Sequence, residues 1–208
     1  MEKINNKYDS GEQNKIYILG GRGVGKTSFF RLLFDEGFDE KVLPSEKGIS
    51  KSNLKSGNKI FTIKDLTDNE NFETTKFFKN ELEDVILVFI LFSLDDKDSF
   101  EYAKTLIEFI KRNLINNKDL NIILLGNKYD IGEQNKNAIQ VSKKEVHQYF
   151  AHTENFYYNE ISCRTNYNID KIKKMIEEIE VPEEIVEDSG ILQEEEKKKK
   201  KAESCLII

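Results

Sequence analysis

Tryptophan is absent from the 208-residue chain, and cysteine and proline occur only twice each. Cys163 and Cys205 alone cannot build a disulfide framework or a four-cysteine zinc site. No stretch approaches the roughly 18 apolar residues of a membrane-crossing helix, and Met1-Glu2-Lys3-Ile4 opens neither a signal peptide nor a myristoylation signal. A cytosolic chain is expected. Basic residues are outnumbered, 32 Lys and Arg against 38 Asp and Glu, so no global basic field gathers a polyanion and nucleic acid is excluded as the main partner. With 38% apolar and 34% charged residues and no internal repeat, one globular domain with a tail, acting as a monomer, fits the composition.

What is present is organised around Gly20-Gly21-Arg22-Gly23-Val24-Gly25-Lys26-Thr27. The run Ile16-Tyr17-Ile18-Leu19 before it reads as a strand and Phe29 to Phe34 after it as a helix, with Ser28 counted among the phosphate-binding residues. G-x-x-x-x-G-K-[ST] in that context is a phosphate loop: the glycines let backbone N–H groups turn toward phosphates at a helix N-terminus. Lys26 then reaches the β- and γ-phosphates, and the Thr27 hydroxyl ligates Mg²⁺. A glycine-rich turn that binds nothing is the bland alternative. The loop fixes a nucleotide but not its base.

Residues 1–14 are polar, without apolar periodicity, and read as a flexible N-terminal extension. Asp35 to Gly48 is too long for an ordinary turn. Ser50 to Leu54 and Lys59 to Ile63 flank Ser56-Gly57-Asn58, the punctuation of a hairpin. Val85 to Phe92 is apolar throughout, as in a central strand covered on both faces; its short length favours a strand over a buried helix. Phe100, Ala103, Leu106, Ile110 and Leu114 recur at helical spacing, as do Ile169, Ile172, Ile176 and Ile179, with strands expected at Leu120 to Leu125 and Phe156 to Ile161. Alternating strands and helices predict a doubly wound α/β fold with its ligand at the carboxyl ends of the strands.

Gly126-Asn127-Lys128-Tyr129-Asp130 stands directly after one such strand. Together with the phosphate loop it resembles the Ras superfamily of small GTPases, and most closely its Rab branch, over roughly residues 15–180. The resemblance implies a P-loop NTPase G domain with a six-stranded mixed sheet and helices on both faces. In the family's N-K-x-D motif the Asp accepts hydrogen bonds from guanine's ring N–H and amine, so Asp130 would read the base. Adenine offers a ring acceptor there, which a carboxylate cannot pair. Lys128 would lay its stem over the base and Asn127 would brace neighbouring loops; an Asx turn is the rival reading. Ser162-Cys163-Arg164 resembles the S-A-K loop, whose middle N–H meets the guanine oxygen. Cys163 reads either as a small buried residue or as a reactive thiol. Phe38 falls where the family sets an aromatic edge against the base, or is a core residue.

The resemblance breaks in places. Counting from Lys26 to the family's first-switch Thr arrives at Ser45, which keeps the Mg²⁺-ligating oxygen; Glu46 is the rival ligand. Lys64-Asp65-Leu66-Thr67-Asp68-Asn69-Glu70-Asn71-Phe72 resembles a degenerate second switch. Asp65 matches the acid that orients Mg²⁺ through water. Asp68 stands where a Gly N–H binds the γ-phosphate, and Asn69, one methylene short, replaces the catalytic Gln. Arg22 occupies a small-residue position, crowding the attacking water or serving as an internal arginine finger. The resemblance thus implies binding of GTP, GDP and Mg²⁺ with impaired hydrolysis.

Beyond Pro182 the chain turns Glu-rich, then runs Lys197 to Lys201 and ends Cys205-Leu206-Ile207-Ile208, a C-a-a-X prenylation pattern. Residues 181–208 therefore read as a hypervariable tail. One lipid holds a membrane marginally, and the lysines are a second signal unless they pair with Glu194 to Glu196 on a solvated helix. A guanine-nucleotide-binding regulator of vesicle trafficking or signalling is expected, lipid-anchored on the cytoplasmic face of a membrane with a cytosolic pool. It would meet an effector, an exchange factor and an activating protein. The alternative is a non-cycling, nucleotide-stabilised membrane adaptor.

Overall fold

Apolar strands covered on both faces need a layer of helices on each side, and the fold meets that demand. The computed structural model describes residues 2–4, 14–40, 48–56, 59–67, 85–113, 120–150 and 156–179. Its strands are β1 (Glu2–Ile4), β2 (Lys15–Gly20), β3 (Gly48–Ser56), β4 (Lys59–Thr67), β5 (Val85–Ser93), β6 (Asn121–Asn127) and β7 (Phe156–Glu160). The helices are α1 (Lys26–Leu33), α2 (Lys97–Asn113), α3 (Tyr129–Gln134), α4 (Lys143–Tyr149) and α5 (Ile169–Glu178), with a 3-10 turn at Lys136–Ala138.

The strands form one mixed sheet in the order β1-β3-β4-β2-β5-β6-β7. β5 lies between β2 and β6, parallel to both, and β7 extends the parallel part beyond β6. β3 and β4 pair antiparallel from Gly48 opposite Thr67 to Ser56 opposite Lys59, so the expected hairpin is present and longer than the apolar residues alone suggested. The sheet has seven strands among the described residues rather than six. The seventh is β1, from the segment expected to be a flexible extension, paired antiparallel with β3 at Lys55, Leu54 and Asn53. The outer side of β3 would otherwise leave backbone donors and acceptors unpaired, and a polar segment can satisfy them without apolar periodicity.

Because side chains alternate across a strand, each central strand feeds two cores. Ile16, Ile18, Leu87, Phe89 and Leu91 pack with Phe29 and Leu33 of α1 and with Ile172 and Ile176 of α5. Tyr17, Leu19, Val88, Ile90 and Phe92 face the other way, onto Phe100, Ala103, Leu106 and Ile110 of α2 and Val146 of α4. Leu114, expected to continue the α2 stripe, lies outside the described residues. Helix α4 was not anticipated. Its signal is Ser142-Lys143-Lys144-Glu145, in which the Ser142 hydroxyl accepts from the Glu145 N–H at 3.2 Å, an N-terminal cap.

Phe89 is fully buried and meets Phe29 edge-on, ring centroids 5.2 Å apart, which ties the central strand to the helix after the phosphate loop. Replacing it with Ala removes that ring and leaves a cavity between sheet and α1. Phe89→Ala is expected to cost about 3 to 5 kcal/mol of folding stability, measured by urea unfolding; a loss below about 1 kcal/mol would show that the sheet and α1 do not depend on this contact.

Candidate functional site

The carboxyl ends of β2, β4, β5 and β6 each deliver a polar group. β2 ends at Gly20 and α1 starts at Lys26, so the intervening loop leads from a strand end into a helix N-terminus. Two of its glycines are dictated by space. At Gly20 (φ +145°) a Cβ would lie 2.3 Å from the Leu91 carbonyl oxygen; at Gly25 (φ +98°) it would lie 2.2 Å from Asn127 Nδ2. Both φ values belong to a region that glycine alone enters readily.

Lys26 is buried, and its ammonium donates to the carbonyl oxygens of Gly20 at 2.9 Å and Gly21 at 2.7 Å, which holds Nζ over the loop. The Thr27 hydroxyl donates to Asp65 Oδ2 at 2.8 Å. Asp65 is fully buried, and its other oxygen, Oδ1, has no hydrogen-bond partner among the described residues. Burial pushes the Asp65 carboxyl up, against the opposing pull of the Thr27 hydrogen bond and the Lys26 charge. A buried carboxylate with an unsatisfied oxygen beside a hydroxyl fits Mg²⁺, which takes few protein ligands and completes its shell with water and phosphate.

At the end of β6, Asn127 is 3% exposed and works in both directions. Its Nδ2 donates to the Val24 carbonyl at 2.8 Å, and its Oδ1 accepts the Cys163 N–H at 3.0 Å. One amide thereby joins the phosphate loop to the loop after β7. The Cys163 N–H, expected to face a guanine oxygen, is instead spent on Asn127, whose buried Oδ1 needs a donor. Asp130 is buried at the start of α3 and accepts from the Ser162 hydroxyl at 2.6 Å. Lys128 takes a left-handed backbone (φ 68°) and sets Nζ 3.3 Å from Asp95 Oδ1.

Sequence reasoning missed Asp95, although it stands only three residues beyond the apolar run. Burial would raise its carboxyl, but hydrogen bonds from the Ser93 hydroxyl and Lys128, with the Lys128 charge, hold it below the usual range. Burial pushes the Cys163 thiol up to about 12, with the Asn127 hydrogen bond opposing and the Asp130 charge adding. At neutral pH that thiol is inert, which favours the small-buried-residue reading. Arg164 pairs with Glu40 at 2.6 Å, both exposed. Phe38 is 38% exposed and belongs to neither core cluster, so the core alternative does not hold.

The Ras family profile matches residues 15–181. The chain belongs to the Ras family. It is similar to the Ras-related protein Rab-12 of Mus musculus and of Rattus norvegicus, 26% identical to each over 171 residues, and to that of Homo sapiens, 25% identical. Each match covers 79% of this chain and 66% of the relative, so the chain spans just under two thirds of the relatives' length. The architecture found here, one mixed sheet with helices on both faces, is that of a small G domain.

Against the family pattern, the fold brings Gly20 to Ser28, Asp65, Asn127, Lys128, Asp130 and Ser162 to Arg164 to one end of the sheet. Arg22 is exposed at the rim of the loop and has no hydrogen-bond or ion-pair partner among the described residues. Ser45, Asp68, Asn69 and Cys205 lie outside the described residues. No helix among the described residues is long and apolar enough to cross a membrane.

Gly25 and Gly23 separate backbone strain from collision. Both have positive φ, but a Cβ at Gly23 (φ +75°) meets nothing within 4 Å, whereas at Gly25 it strikes Asn127. Gly23→Ala should cost only the strain of the left-handed region, about 1 to 2 kcal/mol. Gly25→Ala should cost at least about 1 kcal/mol more, since the Asn127 bridge must shift. Urea unfolding of both variants checks this; equal losses would show that the bridge yields freely.

Proposed function

We propose that this Ras-family chain binds GTP and GDP with Mg²⁺, hydrolyses GTP unusually slowly, and acts as a Rab-like, membrane-anchored regulator of vesicle trafficking or signalling. The observation that carries this reading is the Asn127 bridge. It fixes the phosphate loop and the base loop relative to each other at a separation set by one buried amide, with Asp130 beside it.

In this reading the phosphates lie along the N–H groups of the Gly21 to Thr27 loop, and Lys26 turns from its two carbonyls to the β- and γ-phosphate oxygens. Thr27 would hold Mg²⁺ through its hydroxyl and Asp65 would orient it through water, with Ser45 as a further hydroxyl ligand when the γ-phosphate is present. The cation, when bound, neutralises charge on the transferring phosphoryl group. Asp130 accepts from guanine's ring N–H and amine, and Ser162 keeps its carboxylate in place. Lys128, anchored at Asp95, offers its stem to one face of the base, and Phe38 an edge. Cys163 serves by fixing the loop rather than by chemistry.

Hydrolysis is impaired in this reading because Asn69 is too short to hold the attacking water, Asp68 repels the γ-phosphate, and Arg22 takes up room at the loop's rim. Those same three residues favour the second reading, a nucleotide-stabilised adaptor that does not cycle. In both, Cys205 is prenylated and the lysine run Lys197 to Lys201 supplies the second membrane signal that one lipid requires. The protein then sits on the cytoplasmic face of a membrane with a cytosolic pool.

Asp130→Asn should weaken GTP binding by at least about tenfold and favour xanthine nucleotides, because the new amide donates to the carbonyl that replaces guanine's amine. Competition between GTP and XTP measures it, and an unchanged preference removes Asp130 from the base site. Intrinsic hydrolysis should fall below the family's already slow rate of about 10⁻⁴ per second. The triple change Arg22→Gly, Asp68→Gly, Asn69→Gln should restore more than any single change, since positioning residues act as a unit. Single-turnover assays decide; a parent at the ordinary rate refutes impairment and promotes Arg22 to an internal finger.

A further inference from the structure

The two base-side loops are joined by more than the Ser162–Asp130 hydrogen bond. Tyr129, the residue between Lys128 and Asp130, donates its N–H to the Ile161 carbonyl at 3.1 Å. Its ring lies flat on that of Tyr167, centroids 4.4 Å apart and planes within 10°. Tyr167 closes the loop from its far end, because the Ser162 N–H donates to the Tyr167 carbonyl at 3.2 Å and the two residues form an isolated antiparallel bridge. Inside the closed loop, the Ser162 hydroxyl donates to Asp130 and accepts the Thr165 N–H at 3.1 Å.

Burial does not explain the pair. Tyr167 keeps 40% exposure, and Tyr129 only flanks a core that Phe92, Phe100 and Val146 already fill. Around Tyr167 the backbone is irregular, with Asn166 (φ 63°) and Asn168 (φ 60°) both left-handed, and the Asn168 side chain ties the loop's far end to the Glu160 carbonyl at 2.8 Å rather than to the Asp130 loop. A flat ring contact between Tyr129 and Tyr167 therefore fixes the loop directly against the residue that precedes Asp130.

We infer that the Tyr129–Tyr167 stack is a specificity-determining clamp, two positioning residues that hold Ser162 against Asp130 so that the carboxylate can meet guanine at two points. The inference rests on the guanine-nucleotide reading above. Guanine's ring N–H and exocyclic amine must both align with one carboxylate, and a misaligned carboxylate keeps one contact while losing the other. Inosine, which lacks the amine, offers only the first. Loosening the stack therefore weakens GDP more than IDP, whereas a general loss of structure weakens both alike. Neither ring needs to touch the nucleotide.

The test uses the full chain and its Tyr167→Ala, Tyr167→Phe and Tyr129→Ala variants. Dissociation of fluorescently labelled GDP and IDP is followed on each, with thermal melting of the nucleotide-free proteins alongside. Either alanine variant should release GDP about fivefold faster, with a markedly smaller change for IDP, and Tyr167→Phe, which keeps the ring and loses only the hydroxyl contact with Tyr129, should stay closer to the parent than to alanine. Equal acceleration for both nucleotides, or none, overturns the clamp, and so does a phenylalanine variant no better than alanine. Binding of GDP and ADP by the parent separates the two levels of argument. A parent that prefers neither base overturns the guanine reading and the clamp together, while a guanine-selective parent with an indifferent Tyr167→Ala overturns the clamp alone.

Discussion

A single buried amide holds this site in one piece. Asn127 has a donor and an acceptor to satisfy in a place water does not reach, and both partners are backbone groups of other loops. Leaving either unmade costs about 1 to 3 kcal/mol, so the phosphate loop and the base loop are held in register by the penalty of separating them. Much else follows from that position. Gly25 has to be glycine because Asn127 Nδ2 occupies the space of its Cβ. The Cys163 N–H is spent on Asn127, and burial pushes its thiol up to about 12.

The phosphate end works on a different economy. Burial holds the Asp65 carboxyl above its usual range, outweighing the pull of one hydroxyl and a nearby ammonium, and one of its oxygens stays unsatisfied. Such an arrangement is poor for stability and good for a cation, since the cost is recovered only when a positive ligand arrives with its water and phosphates. Thr27 and Lys26 are positioned by the same loop that Asn127 braces. The rigid amide bridge thus serves the electrostatic half of the site as well as the base half.

The segment after α1 is fastened by other means. Arg31 reaches Glu36 at 3.7 Å and Asp39 at 3.5 Å, Lys173 of α5 pairs with Asp35, and Arg164 pairs with Glu40. Exposed pairs of this kind contribute about 0 to 1 kcal/mol each and weaken with salt. The frame that would hold a nucleotide is made of buried hydrogen bonds, whereas the entrance to the first-switch segment is held by contacts that solvent can replace.

How much of this was legible in the chain depends on how local the signal is. The phosphate loop, the central β5 run, the α2 and α5 stripes and the base motif are short-range patterns of periodicity and residue type, and each marks its element in the fold. So does the hairpin, though its strands extend past their apolar residues because backbone pairing does not require them. Helix α4 carried a capping signal that was overlooked. Strand β1 carried none, since its existence depends on an edge supplied by β3, from a distant part of the chain. The sequence by itself determined the doubly wound class and the residue types of the site, because a strand–glycine loop–helix and a strand–Asn-Lys-x-Asp are written in neighbouring residues. Only the tertiary structure decided that Asn127 takes up the Cys163 N–H, that Lys128 is anchored by Asp95, that Phe38 stands outside the core and that Tyr129 lies on Tyr167. Each of those depends on which buried or facing group is nearest in space, and a linear pattern does not carry that distance.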